Sequence, residues 1–116
     1  MIAVSKTNTG LVRTANEDAL LTDGPELFAI ADGMGGYAGG EIASVETIKV
    51  LKEEKKNFDG LTGEALCTAL KEAASKANSH LRSLVCKMPD YEGMGTTLVA
   101  VYLAEDKKAY ALNIGD

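Results

Sequence analysis

The sequence is short of the residues that usually signal chemistry: it has no tryptophan, one histidine, two cysteines and two prolines, and aromatic residues make up 5% of it. The single histidine, His80, has no carboxylate or cysteine three or four positions away. It reads as a surface residue, and imidazole-type zinc sites and Ser-His-Asp triads are disfavoured because both need more partners than this. Cys67 and Cys86 fall towards opposite ends of one expected helix, roughly 28 Å apart at about 1.5 Å per residue, against a limit of ~7 Å for a disulfide. Both read as free thiols in a reducing compartment. No apolar run approaches the roughly 18 residues that span a bilayer, and the opening segment MIAVSKTNTG lacks the basic-then-apolar order of a secretory signal. A cytoplasmic location is the expectation. Scarce proline beside twelve glycines excludes collagen-like and mucin-like character.

Against those absences, 46% hydrophobic and 25% charged residues are the balance of an ordinary folded domain, and 116 residues suffice for one compact domain but not two. Twelve Lys and Arg stand against seventeen Asp and Glu, for a net charge of −5 and a pI near 4.9. Such a chain repels phosphate backbones and anionic lipid, so no nucleic acid and no membrane is expected as partner, and metal cations are favoured.

Residues 2–6, 19–22 and 27–31 are short apolar runs separated by Asn, Gly, Pro and Asp, the pattern of strands joined by turns. A glycine cluster follows, and from Glu41 to Lys56 the residues Ile42, Val45, Ile48 and Leu51 recur every third position, which predicts an amphipathic helix with those four on its apolar face. A second helix is expected from Thr62 to Lys87, with Leu66, Leu70, Ala73, Ala77, Leu81 and Leu84 at helical spacing, Thr62 as N-cap and Pro89 beyond its end. From Gly95 the run TTLVAVYLA, the charged turn EDKK and the alternating AYALNIG predict a hairpin. Strands are segregated from helices, which favours an antiparallel α+β fold over a parallel α/β one.

Chemistry concentrates at Ala31-Asp32-Gly33-Met34-Gly35-Gly36, where an apolar strand ends in a carboxylate followed by glycines. A carboxylate at a strand end can reach a cation, and a neighbouring glycine lets its own carbonyl join as a hard oxygen ligand. A plain Asp-Gly turn between strand and helix has the same composition. Gly33, Gly35 and Ala38 also fit the loose dinucleotide-binding pattern G-x-G-x-x-A, but the following helix leads into another helix and not into the second strand that this fold requires. A phosphate-binding P-loop is excluded because no Gly-Lys-Ser/Thr follows. A second acidic signal is Asn16-Glu17-Asp18, three residues after Arg13. Adjacent acids on a strand point to opposite faces, so one of Glu17 and Asp18 would bind a cation directly and the other through water. Arg13 offers a planar fork for a phosphate.

Three motifs in order, Thr9-Gly10-x-x-Arg13-x-x-Asn16-Glu17-Asp18, Phe28-Ala29-Ile30-Ala31-Asp32-Gly33-Met34-Gly35-Gly36 and Gly93-Met94-Gly95-Thr96-Thr97, resemble those of the metal-dependent type 2C Ser/Thr protein phosphatases. The closing Asn113-Ile114-Gly115-Asp116 resembles the start of that family's Gly-Asp-Ser-Arg motif. Met34 after Asp-Gly is similar to the bacterial members, and the stage II sporulation E phosphatases are related. The resemblance implies an antiparallel β-sandwich with flanking helix pairs, of which residues 1–116 would be a single partial domain, about the N-terminal half. It implies Mg²⁺ or Mn²⁺ as cofactor, two ions in the complete domain, which activate a water against the phosphoryl group of a phosphoserine or phosphothreonine. Asp32 would bridge both ions, the Gly33 carbonyl would ligate one, Glu17 and Asp18 would bind directly or through water, Asp116 would serve a weaker third ion, and Arg13 would clamp the phosphate. Two later aspartates of the family site have no counterpart in this sequence, so weak cation binding and little or no activity are expected of the chain alone.

The short chain is therefore either a truncated product or a natural half-domain completed by another chain. A rival reading keeps the scaffold and drops the activity, as a non-catalytic dimerisation or regulatory module. In the 95–116 hairpin Leu98, Ala100 and Tyr102 alternate with Val99, Val101 and Leu103; one face can pack on the helices and the other has too few strands to cover it, so a homodimer through residues 95–116 is expected.

Overall fold

The computed structural model describes residues 18–35 and 39–115. The strand expected at residues 2–6 lies outside them. The chain forms β1 (Asp18–Asp23), β2 (Leu27–Met34), α1 (Gly39–Glu54), a 3-10 turn (Lys55–Asn57), α2 (Gly63–Lys87), a second 3-10 turn (Pro89–Tyr91), β3 (Gly95–Leu103) and β4 (Ala109–Ile114). The strands make one four-stranded sheet in the order β1-β2-β3-β4, antiparallel throughout. This is the α+β arrangement that the segregation of strands from helices predicts.

Alternation sorts each central strand into two faces. Leu27, Ala29 and Ala31 of β2 and Leu98, Ala100 and Tyr102 of β3 are buried against the helices, where they join Ile48, Leu51, Phe58, Leu66, Leu70 and Ala73 in one core. The opposite face carries Leu20, Ile30 and Val99 in direct register, with Ile30 53% and Val99 45% exposed. Tyr102 meets Phe58 edge-on at 5.7 Å between ring centroids, a favoured aromatic geometry. Its buried hydroxyl donates to Asp59, whose carboxylate also pairs with Lys55.

Helix α1 does not bury the face that three-residue spacing predicts. Its buried side is Ala43, Ser44, Thr47, Ile48 and Leu51, together with Gly39 and Gly40. Val45 is exposed, and with Ile42 it lines a shallow groove shared with Leu84 and Met88 beside α2. The reason is geometric: a step of three residues falls about 60° short of a full turn, so Ile42, Val45, Ile48 and Leu51 fan around the helix and do not stack. Small residues take the sheet-facing positions because they let the helix axis approach the strands closely.

Helix α2 begins where expected, with Thr62 at the N-cap position, but the Thr62 side chain makes no capping bond. The first helical N–H, that of Gly63, is instead satisfied at 2.8 Å by the Tyr110 hydroxyl of β4. His80 is also more engaged than a surface reading allows, since its Nε2 lies 3.1 Å from Glu46 Oε1 of α1. That bond, ahead of the one from Lys49, holds the Glu46 carboxyl below its usual range. Cys67 and Cys86 are free and exposed. Among the described residues no helix is long and apolar enough to cross a membrane.

Candidate functional site

The ends of β1, β2 and β3 meet at one edge of the sheet. Strand β2 alternates buried and open positions to its end, and Asp32 falls on the open face between buried Ala31 and buried Gly33. Asp18, the first described residue of β1, is the register partner of Asp32. In an antiparallel ladder, partners project to the same face with Cβ atoms about 4.5–5.5 Å apart. Asp18 is half-buried and Asp32 exposed. On the other flank of β2, Asp32 pairs with Thr97 and Gly33 with Thr96. The row across the sheet is therefore Asp18, Asp32 and Thr97.

The glycines behind this row are required by packing. Gly35 has φ +136, and a Cβ there would lie 2.9 Å from the Met94 Cα. A Cβ on Gly39, at the start of α1, would lie 3.0 Å from the Met94 Cβ. Met94 thus packs against Gly35 and Gly39, and the third motif is pressed against the second. Thr96 Oγ1 donates to the Thr97 carbonyl at 2.8 Å.

The ion pairs among the described residues, such as Lys76–Glu54 and Lys55–Glu26, lie on the helices and the β1–β2 turn, and none reaches Asp32. Two carboxylates and a glycine carbonyl are hard oxygen donors, the set that suits Mg²⁺ or Mn²⁺ and suits soft metals poorly. Both carboxylates lie on one face where they can serve one divalent cation, so the residues fit such an ion. Among the described residues there is no cluster of three or more His, Cys, Asp or Glu, and the described part of the site is the Asp18–Asp32 pair with Gly33.

Of the residues expected to carry function, the fold brings Asp18, Asp32 and Gly33 together. Arg13, Glu17 and Asp116 lie outside the described residues. Gly115, which precedes Asp116 in the chain, is against the same row: its φ is +101, and a Cβ there would lie 2.8 Å from the Thr97 γ-methyl. Thr97 is the residue that sequence reasoning passed over. It stood inside a recognised motif, but only the strand register gives it a place beside Asp32.

The family model for Protein phosphatase 2C matches residues 11–116. The chain is 40% identical over 112 residues to the serine/threonine protein phosphatase PstP of Mycobacterium tuberculosis, a match covering 97% of this chain and 21% of PstP. It is 33% identical over 121 residues to the serine/threonine phosphatase stp of Listeria monocytogenes, covering 100% of this chain and 48% of that protein. Among solved structures it superposes on M. tuberculosis PstP with a TM-score of 0.85 at 40% identity, over 96% of this chain and 45% of that one. A PstP catalytic domain in complex with two manganese ions gives a TM-score of 0.84, and the S. agalactiae serine/threonine phosphatase gives 0.82 at 29% identity over 96% of this chain and 47% of that one. The chain thus spans about half the length of the stp protein and of the solved structures it matches.

Proposed function

Because the chain belongs to the protein phosphatase 2C family, we propose that its Asp18–Asp32 row is part of the cation site of a metal-dependent phosphoserine/phosphothreonine protein phosphatase. The observation that carries this reading is the register: two carboxylates fixed opposite one another on one face, with Gly33 next to them. The manganese ions of the PstP complex support a divalent cofactor, Mn²⁺ or Mg²⁺. When bound, such ions supply an activated water and offset the charge of the phosphoryl group.

The chain's own residues do the holding and orienting. Asp32 would hold both cations, the Gly33 carbonyl would ligate one, and Asp18 and Glu17 would bind directly or through water. Arg13 would offer its planar fork to the phosphate and so orient the substrate. Asp116 would serve a third, weaker cation. The substrates are phosphoproteins, in keeping with the protein phosphatase relatives, and the location is cytoplasmic. Residues 1–116 are one partial domain and bind cations weakly alone, because ligand count sets affinity for hard ions.

Calorimetric titration with Mn²⁺ tests the site. Weak binding that disappears in Asp32→Ala is expected; tight binding that survives Asp32→Ala would place the site elsewhere.

A second reading, a non-catalytic dimerisation or regulatory module, is favoured by one feature, the exposed apolar row of Leu20, Ile30 and Val99. Leaving a few hundred Å² of such surface in water costs several kcal/mol at about 25 cal/mol per Å². A second copy placed face to face through residues 95–116 would cover it, because a twofold interface is self-complementary.

A further inference from the structure

Thr97 is the point at which three motifs touch. It is the register partner of Asp32, and its hydroxyl donates to the Asp32 main-chain carbonyl over a long 3.5 Å. Its γ-methyl faces Gly115, where a Cβ would lie 2.8 Å from Cγ2 and 3.1 Å from Cβ. Gly115 is excluded from carrying a side chain both by that contact and by its φ of +101, a conformation that L residues rarely adopt.

The two contacts belong to one Cβ. In a β-branched residue the hydroxyl and the methyl are fixed relative to each other, and χ1 is confined to few settings. Setting the hydroxyl on Asp32 therefore sets the methyl on Gly115. No other side chain of this size does both. Valine has the methyl without the donor, and serine has the donor without the methyl.

Resting on the cation-site reading above, we propose that Thr97 is a positioning residue for that site, whose hydroxyl steadies the backbone of Asp32 and whose methyl steadies the turn at Gly115, so that both sides of the row hold one geometry. It acts through Asp32 and touches neither cation nor phosphate. The chemistry needs this because carboxylate ligands bind tightly only when their own supports are fixed, and loss of such a support typically lowers metal affinity by roughly 10- to 100-fold. If Thr97 were only a strand residue chosen for its shape, valine would replace it without effect, since the two are close in volume and in strand preference.

The test is a set of variants of the 116-residue chain followed by NMR and by Mn²⁺ titration. Thr97→Val should move the Asp32 carbonyl-carbon resonance, leave the Gly115 amide in place, and weaken Mn²⁺ binding roughly tenfold. Thr97→Ser should move the Gly115 amide and leave the Asp32 carbonyl in place. That crossed pattern is independent of metal. A Thr97→Val chain with an unmoved Asp32 carbonyl overturns the proposal, as does one that binds Mn²⁺ as tightly as the wild type. A wild-type chain that takes up no Mn²⁺, or an Asp32→Ala chain that still does, sinks the cation-site reading, and the crossed resonances alone then decide whether Thr97 links Asp32 to Gly115.

Discussion

Asp18 and Asp32 face each other as direct partners across the β1–β2 ladder. That placement sets both carboxylates on one face of the sheet, where they can serve one cation together.

Shared use of one cation can be measured. Mn²⁺ should raise the melting temperature of the wild-type chain, because a ligand that binds the folded state stabilises it, and Asp32→Asn should abolish that rise. Paired melts with and without Mn²⁺ check this, and a rise that survives Asp32→Asn would place the ion elsewhere.

Catalysis should be absent or minimal in the chain alone. A two-cation mechanism fails steeply when one ion lacks its ligands, and the chain spans 48% of the Listeria relative. With Mn²⁺ present, p-nitrophenyl phosphate hydrolysis by a verified 116-residue monomer is expected at background. Robust turnover would show that fewer ligands suffice.

How much of this the sequence discloses depends on the range of the interaction. The alternation of Leu98, Ala100 and Tyr102 with Val99 and Val101 is local, and it correctly separates the helix-facing side of β3 from the open side. Asp32 and Gly33 stand out because a carboxylate and glycines close an apolar strand. In α1, hydrophobicity points to Ile42 and Val45 as buried, whereas Ala43, Ser44 and Thr47 are buried for being small. The His80–Glu46 contact and the Tyr110 bond to Gly63 join residues far apart in the chain. Spacing rules do not reach that far, and the same holds for the pairing of Asp32 with Asp18 and Thr97.

The Tyr102–Asp59 bond should leave a signature at both ends of the pH scale. The Tyr102 hydroxyl, with help from Lys55, holds Asp59 below its usual carboxyl value. A depressed folded value contributes stability above the unfolded value, about 3.9, that is lost as pH falls through the folded one. Burial, then the Asp59 bond, pushes the Tyr102 phenol up. A raised folded value contributes stability that is complete below the unfolded value, about 10, and is lost as pH rises beyond it. Tyr102→Phe should cost about 1 kcal/mol at neutral pH and flatten both the acid and the alkaline loss. Parallel wild-type and variant melting profiles across pH would refute the assignment.

Assembly gives a further check. Sedimentation equilibrium at micromolar concentration should detect a species of twice 12.2 kDa, and Val99→Lys, in the middle of the open apolar row, should return it to monomer. A wild-type chain that sediments only as monomer removes the homodimer.

The Tyr110 hydroxyl on the first N–H of α2 also sets a time order. The two partners are 47 positions apart, so a nascent chain that has released Gly63 through the whole of α2 still lacks the group that closes the helix start. Until β4 is made and docked beside β3, the first turn of α2 is left to water and should fray, since the donors at a helix start have no partners within the helix. Completion of β4 is then the event that seals a helix begun much earlier. A nascent chain stalled before Tyr110 should lose protection from hydrogen exchange at the start of α2 while keeping it at the centre.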